Sequence, residues 1–323
     1  MIKKYPKIYI GPMTKNVVDS VLEFCDENQK TIGFIPSRRQ VDHQGGYVNN
    51  WTTEQFSKYV SGRLPIERDH GGISQGQYFD DGRDSLEVDA KCLDIVHIDP
   101  WKYHQKYISG FVDTLKCIEH VYSINPDVKF EIGTEQSIRL FTAEMLDKLL
   151  SNLFDTLDPT VFKNIKYAVI QSGVALNLAS QSNVGSFSSN KLHEMTQVCK
   201  KYGVLSKEHN GDFLTHEQIN MRFKNGLDAI NIAPEFGQIE TICYLNSNID
   251  FDKFYDICYH SGRWRKWVSE DFIPSQNKRE LVTICGHYVL STDEFKLIKP
   301  DIDDLIKDEI KNKLSLLFEE CGL

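Results

Sequence analysis

Short apolar, β-branched runs alternate along this chain with longer segments in which apolar residues recur every three or four positions. The runs cover residues 31–35, 64–68, 93–98, 128–132, 166–170, 203–207, 229–233 and 281–284. Runs of this length bounded by polar clusters suit strands buried on both faces, as in a parallel sheet. Amphipathic segments separate them at 53–61, 107–123, 142–157, 190–202, 216–225 and 239–267. In one of these Thr142 precedes Met145, Leu146, Leu149, Leu150 and Leu153, a spacing that lays one helix face on a sheet. A helix over 13–28 is predicted before the first strand, and one over 300–321 closes the chain. Eight strands with intervening helices predict an α/β fold of the (β/α)8 TIM-barrel type, as one domain over 1–323. An open doubly wound sheet normally has fewer strands and often a Gly-rich phosphate loop after the first, which is absent here.

Composition narrows the partners. The chain is 41% hydrophobic and 26% charged, enough for a large core under a charged surface. Its formal net charge is −9 and it has no basic run, which argues against nucleic acid. No stretch approaches the ~18 apolar residues of a membrane span. Lys3 and Lys4 lead into a strand-like Ile8-Tyr9-Ile10 instead of a signal segment, so no membrane partner and a cytoplasmic location are expected. The eight cysteines are scattered singly without a CxxC pair and read as reduced, structural residues.

In a barrel the chemistry sits at the carboxyl ends of the strands. The residues after successive runs are Ser37-Arg38-Arg39-Gln40, Asp69-His70-Gly71-Gly72, Asp99-Pro100-Trp101 and Gly133-Thr134-Glu135-Gln136. They continue as Gln171-Ser172-Gly173, Glu208-His209-Asn210-Gly211-Asp212, Pro234-Glu235-Phe236-Gly237 and Gly286-His287-Tyr288. Every rim carries hydrogen-bonding or acidic groups. Asp69 and His70 pair an acid with an imidazole, suiting general acid–base work and metal ligation; the bland alternative is a capped turn. His209 could meet His70 across the mouth, and with a carboxylate from Asp99, Glu131, Glu135 or Glu235 the set would suit a divalent ion such as zinc. His97 reads as a core histidine. Arg38 and Arg39 offer forked guanidiniums to an anionic substrate, although one of two adjacent arginines usually points to solvent. Gln40, Gln171, Asn231, Glu235 and His287 complete the set of groups expected to bind substrate.

Several stretches together resemble the non-catalytic subunit family of class II D-tagatose-1,6-bisphosphate aldolase, formerly described as tagatose-6-phosphate kinases. They are Gln40-Val41-Asp42-His43-Gln44-Gly45-Gly46-Tyr47, Asp69-His70, His97-Ile98-Asp99, Ile132-Gly133-Thr134-Glu135, the His209 segment, the Pro234 turn and His287-Tyr288. The resemblance implies a TIM barrel related to zinc-dependent class II aldolases and to ketose and uronate epimerases. In those enzymes an Asp-His-Gly motif joins a catalytic acid to a metal ligand, a pattern that Asp69, His70 and Gly71 match. It implies Asp69, Glu135 and Asp99 in catalysis and His70 and His209 on a metal. The chain departs from the pattern at Asn231 and Glu235, where a third histidine would be expected, and at Arg38-Arg39, where the family has small or polar residues. The implied activity is a metal-assisted aldolase or epimerase acting on a phosphorylated or acidic ketose. The alternative is a non-catalytic subunit that stabilises a separate aldolase; a homo-oligomer or an aldolase partner subunit is the implied assembly.

Overall fold

A computed structural model describes residues 5–321; the Lys3-Lys4 pair lies outside the described residues. Eight parallel strands form the barrel: β1 (Ile8–Ile10), β2 (Gly33–Phe34), β3 (Glu67–Gly71), β4 (Ile95–Ile98), β5 (Lys129–Ile132), β6 (Ile165–Ile170), β7 (Leu205–Glu208) and β8 (Ala229–Ile232). Each pairs with its sequence neighbour from β3 to β8, and β1 pairs with both β8 and β2. The remaining seam, between β2 and β3, is joined by bridges from Phe34 to Ile66 and from Ser37 to Asp69. Closure leaves no sheet edge open and brings all eight carboxyl ends to one mouth.

The count of eight is right, but its membership needs two corrections. Ile8–Ile10 is the first strand, so helix Lys15–Asn28 joins β1 to β2 instead of preceding the barrel. The run at 281–284 is helical, within Lys278–Cys285. Leu281, Val282, Ile284 and Cys285 are all buried, a one-three-four spacing that fits a helix face; over four residues periodicity cannot separate this from a buried strand. The span 239–267 is likewise broken, into Pro234–Leu245, Phe251–Ser261 and a short turn. Asp250 makes the break by accepting from the Lys253 amide at 3.2 Å and capping the second helix. Helix Arg83–Cys92 and the hairpin Leu176–Asn177/Ser182–Asn183 have no counterpart in the predicted elements.

Side chains alternate in and out along each strand, and the inner set forms layers. Tyr9, Ile35, Ile95, Tyr167 and Ala229 make one small apolar cluster inside the barrel. Next to it Glu67, Glu131 and Lys207 meet with no solvent exposure. Lys207 Nζ donates to Glu67 and to Glu131, the latter at 3.3 Å, and lies over the Tyr9 ring at 3.8 Å. Burial pushes the Glu67 carboxyl well up despite the nearby ammonium. The His- and Asp-bearing mouth rests directly on this charged layer.

Candidate active site

β3 ends irregularly, and that irregularity aims the site. The β3–β4 register shifts between Arg68 and Gly71, and His70 takes a left-handed φ of 49°. Its backbone N–H donates to His97 Nδ1 at 3.3 Å, which holds the unusual turn. A Cβ on Gly71 would lie 2.8 Å from the His97 carbonyl oxygen, so glycine is required next. His97 Nε2 in turn donates to the Gly133 carbonyl at 3.1 Å. Both ring nitrogens are thereby used, which makes His97 a satisfied histidine as expected, yet it sits inside the cluster. Burial and the charges of His70 and His209 keep it well below its usual pKa, hence neutral.

Two imidazoles and one carboxylate converge. His70 Nδ1 donates to Asp99 Oδ2 at 2.5 Å, which leaves Nε2 facing Asp69 Oδ1 at 3.4 Å. His209 Nε2 donates to Glu131 Oε1 at 3.2 Å, which leaves Nδ1 facing the same Asp69 oxygen at 3.5 Å. Asp69 Oδ1 is buried and accepts no hydrogen bond among the described residues. Ligand atoms of Asp69, His70, His97 and His209 all lie within 4.8 Å of one another. A tetrahedral centre with bonds of roughly 2.0–2.1 Å sets its donor atoms about 3.3–3.5 Å apart, so the Asp69–His70 and Asp69–His209 separations fit such an ion. Each candidate imidazole also has a carboxylate behind it, the arrangement that fixes tautomer and orientation in metal sites.

The electrostatics divide the carboxylates. Burial pushes Asp69 up to about 7, against the pull of His70. Burial alone would lower His70, but Asp69 and Asp99 outweigh it and raise the imidazole to about 10. Burial and His70 together push His209 well down. Glu135 would be raised by burial; instead His70, His209 and bonds from Ser137 and Asn210 hold it below its ordinary value, so it is ionised at neutral pH. Asp99 is fully buried, accepting from His70, from Thr134 Oγ1 at 3.1 Å and from the Trp101 amide at 3.2 Å. That position suits orienting His70 better than touching a ligand.

The mouth is a cavity of about 300 Å³ whose lining includes Asp69, His70, Glu135, Arg39 and Gln40. Other expected ligand-binding residues are occupied elsewhere. Arg38 is buried and spends its guanidinium on Asp42, Asp80 and the Gly72 carbonyl. Gln171 accepts from the Phe141 amide and donates to the Thr134 and Arg139 carbonyls. Glu235 accepts from the Phe213 amide at 2.7 Å and pairs with Lys313 at 2.5 Å. Asn231 lies in β8 with both amide atoms buried and unpartnered, and alternation with Ala229 turns it inward. His287 is not at a strand end; it sits in the turn Gly286–Tyr288, buried against Tyr288 with both ring nitrogens unpartnered. The residues sequence reasoning gave no role are Lys207, Asn210, Lys102 and Lys266. Lys207 had a legible signal, a charge flanked by residues of a buried strand.

The two arginines therefore predict separate outcomes. Arg38→Met is expected to cost about 2–3 kcal/mol of stability, since it strands the buried Asp42 carboxylate. Arg39→Met is expected to leave stability unchanged and weaken an anionic ligand about ten- to a hundred-fold. Denaturant unfolding beside calorimetric titration separates them, and a destabilised R39M protein would reverse the assignment.

No family profile matches the chain, and no curated protein matches it. Solved structures do. The probable tagatose 6 phosphate kinase from Sinorhizobium meliloti 1021 superposes with a TM-score of 0.75 at 12% identity, over 98% of this chain and 100% of that one. The likeness is one of fold. Fructuronate-tagaturonate epimerase from Cohnella laeviribosi gives 0.61 at 9% identity, covering 99% and 82%. Fructose-bisphosphate aldolase from Campylobacter jejuni gives 0.58 at 11%, covering 98% and 90%. The (β/α)8 barrel is common to all three, as the short motifs imply.

Proposed function

We propose that this chain is a cytoplasmic, metal-assisted aldolase or epimerase acting on a phosphorylated or acidic ketose, with Asp69, His70 and His209 holding a divalent ion such as zinc. One observation carries the reading: two imidazole nitrogens face one Asp69 oxygen at 3.4 and 3.5 Å, that oxygen has no hydrogen bond among the described residues, and a carboxylate stands behind each imidazole. The structural relatives named as an aldolase and an epimerase add to it. A divalent ion there would polarise a substrate carbonyl and stabilise an enolate. The chain's own groups supply the rest. Glu135, ionised and held by Asn210 and Ser137 at the mouth, is the proton acceptor. Asp99 and Glu131 fix the two imidazoles, and the unpartnered Asn231 amide is available to a substrate hydroxyl. Eight free cysteines accord with a reducing compartment, and among the described residues no helix is long and apolar enough to cross a membrane. A purely stabilising subunit would have no need of this donor set.

Both reactions pass through an enolate, so one experiment covers them. Incubating the zinc-loaded protein with ketose phosphates and with uronates in D2O is expected to give either deuterium at carbon next to the carbonyl or cleavage to two carbonyl fragments. Glu135→Gln should slow this by about 100-fold or more. Turnover that survives E135Q undiminished removes Glu135 as the base, and no exchange or cleavage with any substrate of either class overturns the enzymatic reading.

A further inference from the structure

We propose that the ligand of this mouth is a sugar linked through a diphosphate, whose phosphates lie along a cationic track formed by Arg39, Lys266 and Arg263. The inference rests on the reading of the mouth as a ketose site, with the diphosphate borne on a carbon other than the carbonyl carbon so that the ketone stays free. Arg39 and Lys266 line the cavity that holds Asp69, His70 and Glu135. The same two side chains line an adjoining depression of about 410 Å³ together with Arg263 and Tyr288. Arg263 and Tyr288 then line a third, of about 430 Å³, shared with Tyr47, Gly45 and Gly46. The three hollows share lining residues, Tyr288 being common to all of them, and so adjoin one another at the mouth.

The cations along them are unspent. Among the described residues the Arg39 guanidinium reaches only the Gly76 carbonyl, at 3.5 Å. Arg263 donates to Gln77 Oε1 at 3.2 Å and lies over the Tyr47 and Tyr288 rings at 5.4 and 5.5 Å. Lys266 lies over the Trp267 ring at 4.2 Å. Among the described residues none of the three forms an ion pair, whereas Arg38, Arg68 and Arg222 each engage a carboxylate. Lys266 feels the charges of Arg39, Arg263 and Lys102, opposed by Glu135. In a chain of net charge −9 such a row of mutually repelling cations calls for a ligand of matching charge.

A single carboxylate would bring one charge to one point. A diphosphate brings two phosphorus centres in series, with oxygens for charge-assisted bonds to successive guanidinium and ammonium groups. Length argues the same way. A cavity of about 300 Å³ is the lower end of what a small organic ligand occupies, and the adjoining hollows extend well beyond a six-carbon sugar. Tyr47 and Tyr288 line the mouth as well as the outer hollow, so the sugar and its diphosphate lie against the same pair of rings.

Three ligands with one hexose skeleton test this by isothermal titration, as binding probes and not as substrates: UDP-glucose, glucose 1-phosphate and glucuronate, with UDP and ADP alongside. The nucleoside diphosphates and UDP-glucose are expected to bind at least about tenfold tighter than the monophosphate, with glucuronate weaker still. The double variant R263M/K266M, which alters only side chains of the track, should bring UDP-glucose down to the level of glucose 1-phosphate and leave the unfolding midpoint in place. Monophosphate or glucuronate binding as tightly as UDP-glucose, failure of both UDP and ADP to bind, or parent-like affinity in R263M/K266M overturns the proposal. Zinc content measured on the same samples keeps the two readings apart. Bound zinc without a diphosphate preference removes the track alone, and a diphosphate preference without zinc leaves the track standing.

Discussion

Alanine in place of His70 or His209 is expected to lower zinc affinity by more than about 100-fold, beyond the 10- to 100-fold that a supporting carboxylate commands. Asp99→Asn and Glu131→Gln should fall in that lower range, because they loosen an imidazole without removing it. His97→Gln should cost less than H70A, since both His97 nitrogens already serve backbone partners. Competition titration against a chromogenic chelator gives the order. The same titration carries a pH signature. Ligands bind a metal in their deprotonated forms. Asp69, raised to about 7, and His70, raised to about 10, must each release a proton to it. Affinity should therefore climb about a hundredfold per pH unit below 7 and about tenfold per unit above, as one and then the other requirement lapses. A flat profile between pH 6 and 8 would mean that these groups are not the ligands.

The second large effect lies one layer deeper. Lys207→Met is expected to destabilise the barrel by about 3–5 kcal/mol, because it leaves Glu67 and Glu131 facing one another without their shared cation. Glu67→Gln should cost far less, since burial already favours the neutral form of that acid. Lys207→Met should also weaken zinc binding, as Glu131 loses the contact that holds it against His209. Denaturant unfolding of both variants checks the ranking; a K207M protein within about 1 kcal/mol of the parent would show that the layer relaxes around the loss.

Much of this was legible before any coordinates. The alternation of apolar runs and helical stripes is enough to predict the barrel, because strands buried on both faces have few other homes. Its two errors in strand membership share one cause. Ile8–Ile10 is three residues long, and 281–284 is four, and at those lengths strand and helix leave the same apolar trace. Asp69, His70, Glu135 and His209 could be read from their place after successive runs, since parallel closure brings those ends together. What a linear reading cannot supply is which atoms are already spent. Arg38 and Arg39 are adjacent and alike, yet one is consumed by Asp42 and Asp80 while the other lines the mouth. Gln171 and Glu235 likewise sit after strands with their polar atoms committed to neighbouring backbone or to Lys313.

The central claim is that Asp69, His70 and His209 make one metal centre, and X-ray absorption at the zinc edge of the loaded protein tests it most directly. The account predicts one zinc per chain with two imidazole nitrogens at roughly 2.0–2.1 Å and a carboxylate oxygen at roughly 2.0–2.2 Å, the imidazole scattering falling by half in H209A. Zinc that is absent at stoichiometric loading, or a first shell with no imidazole contribution, would contradict it.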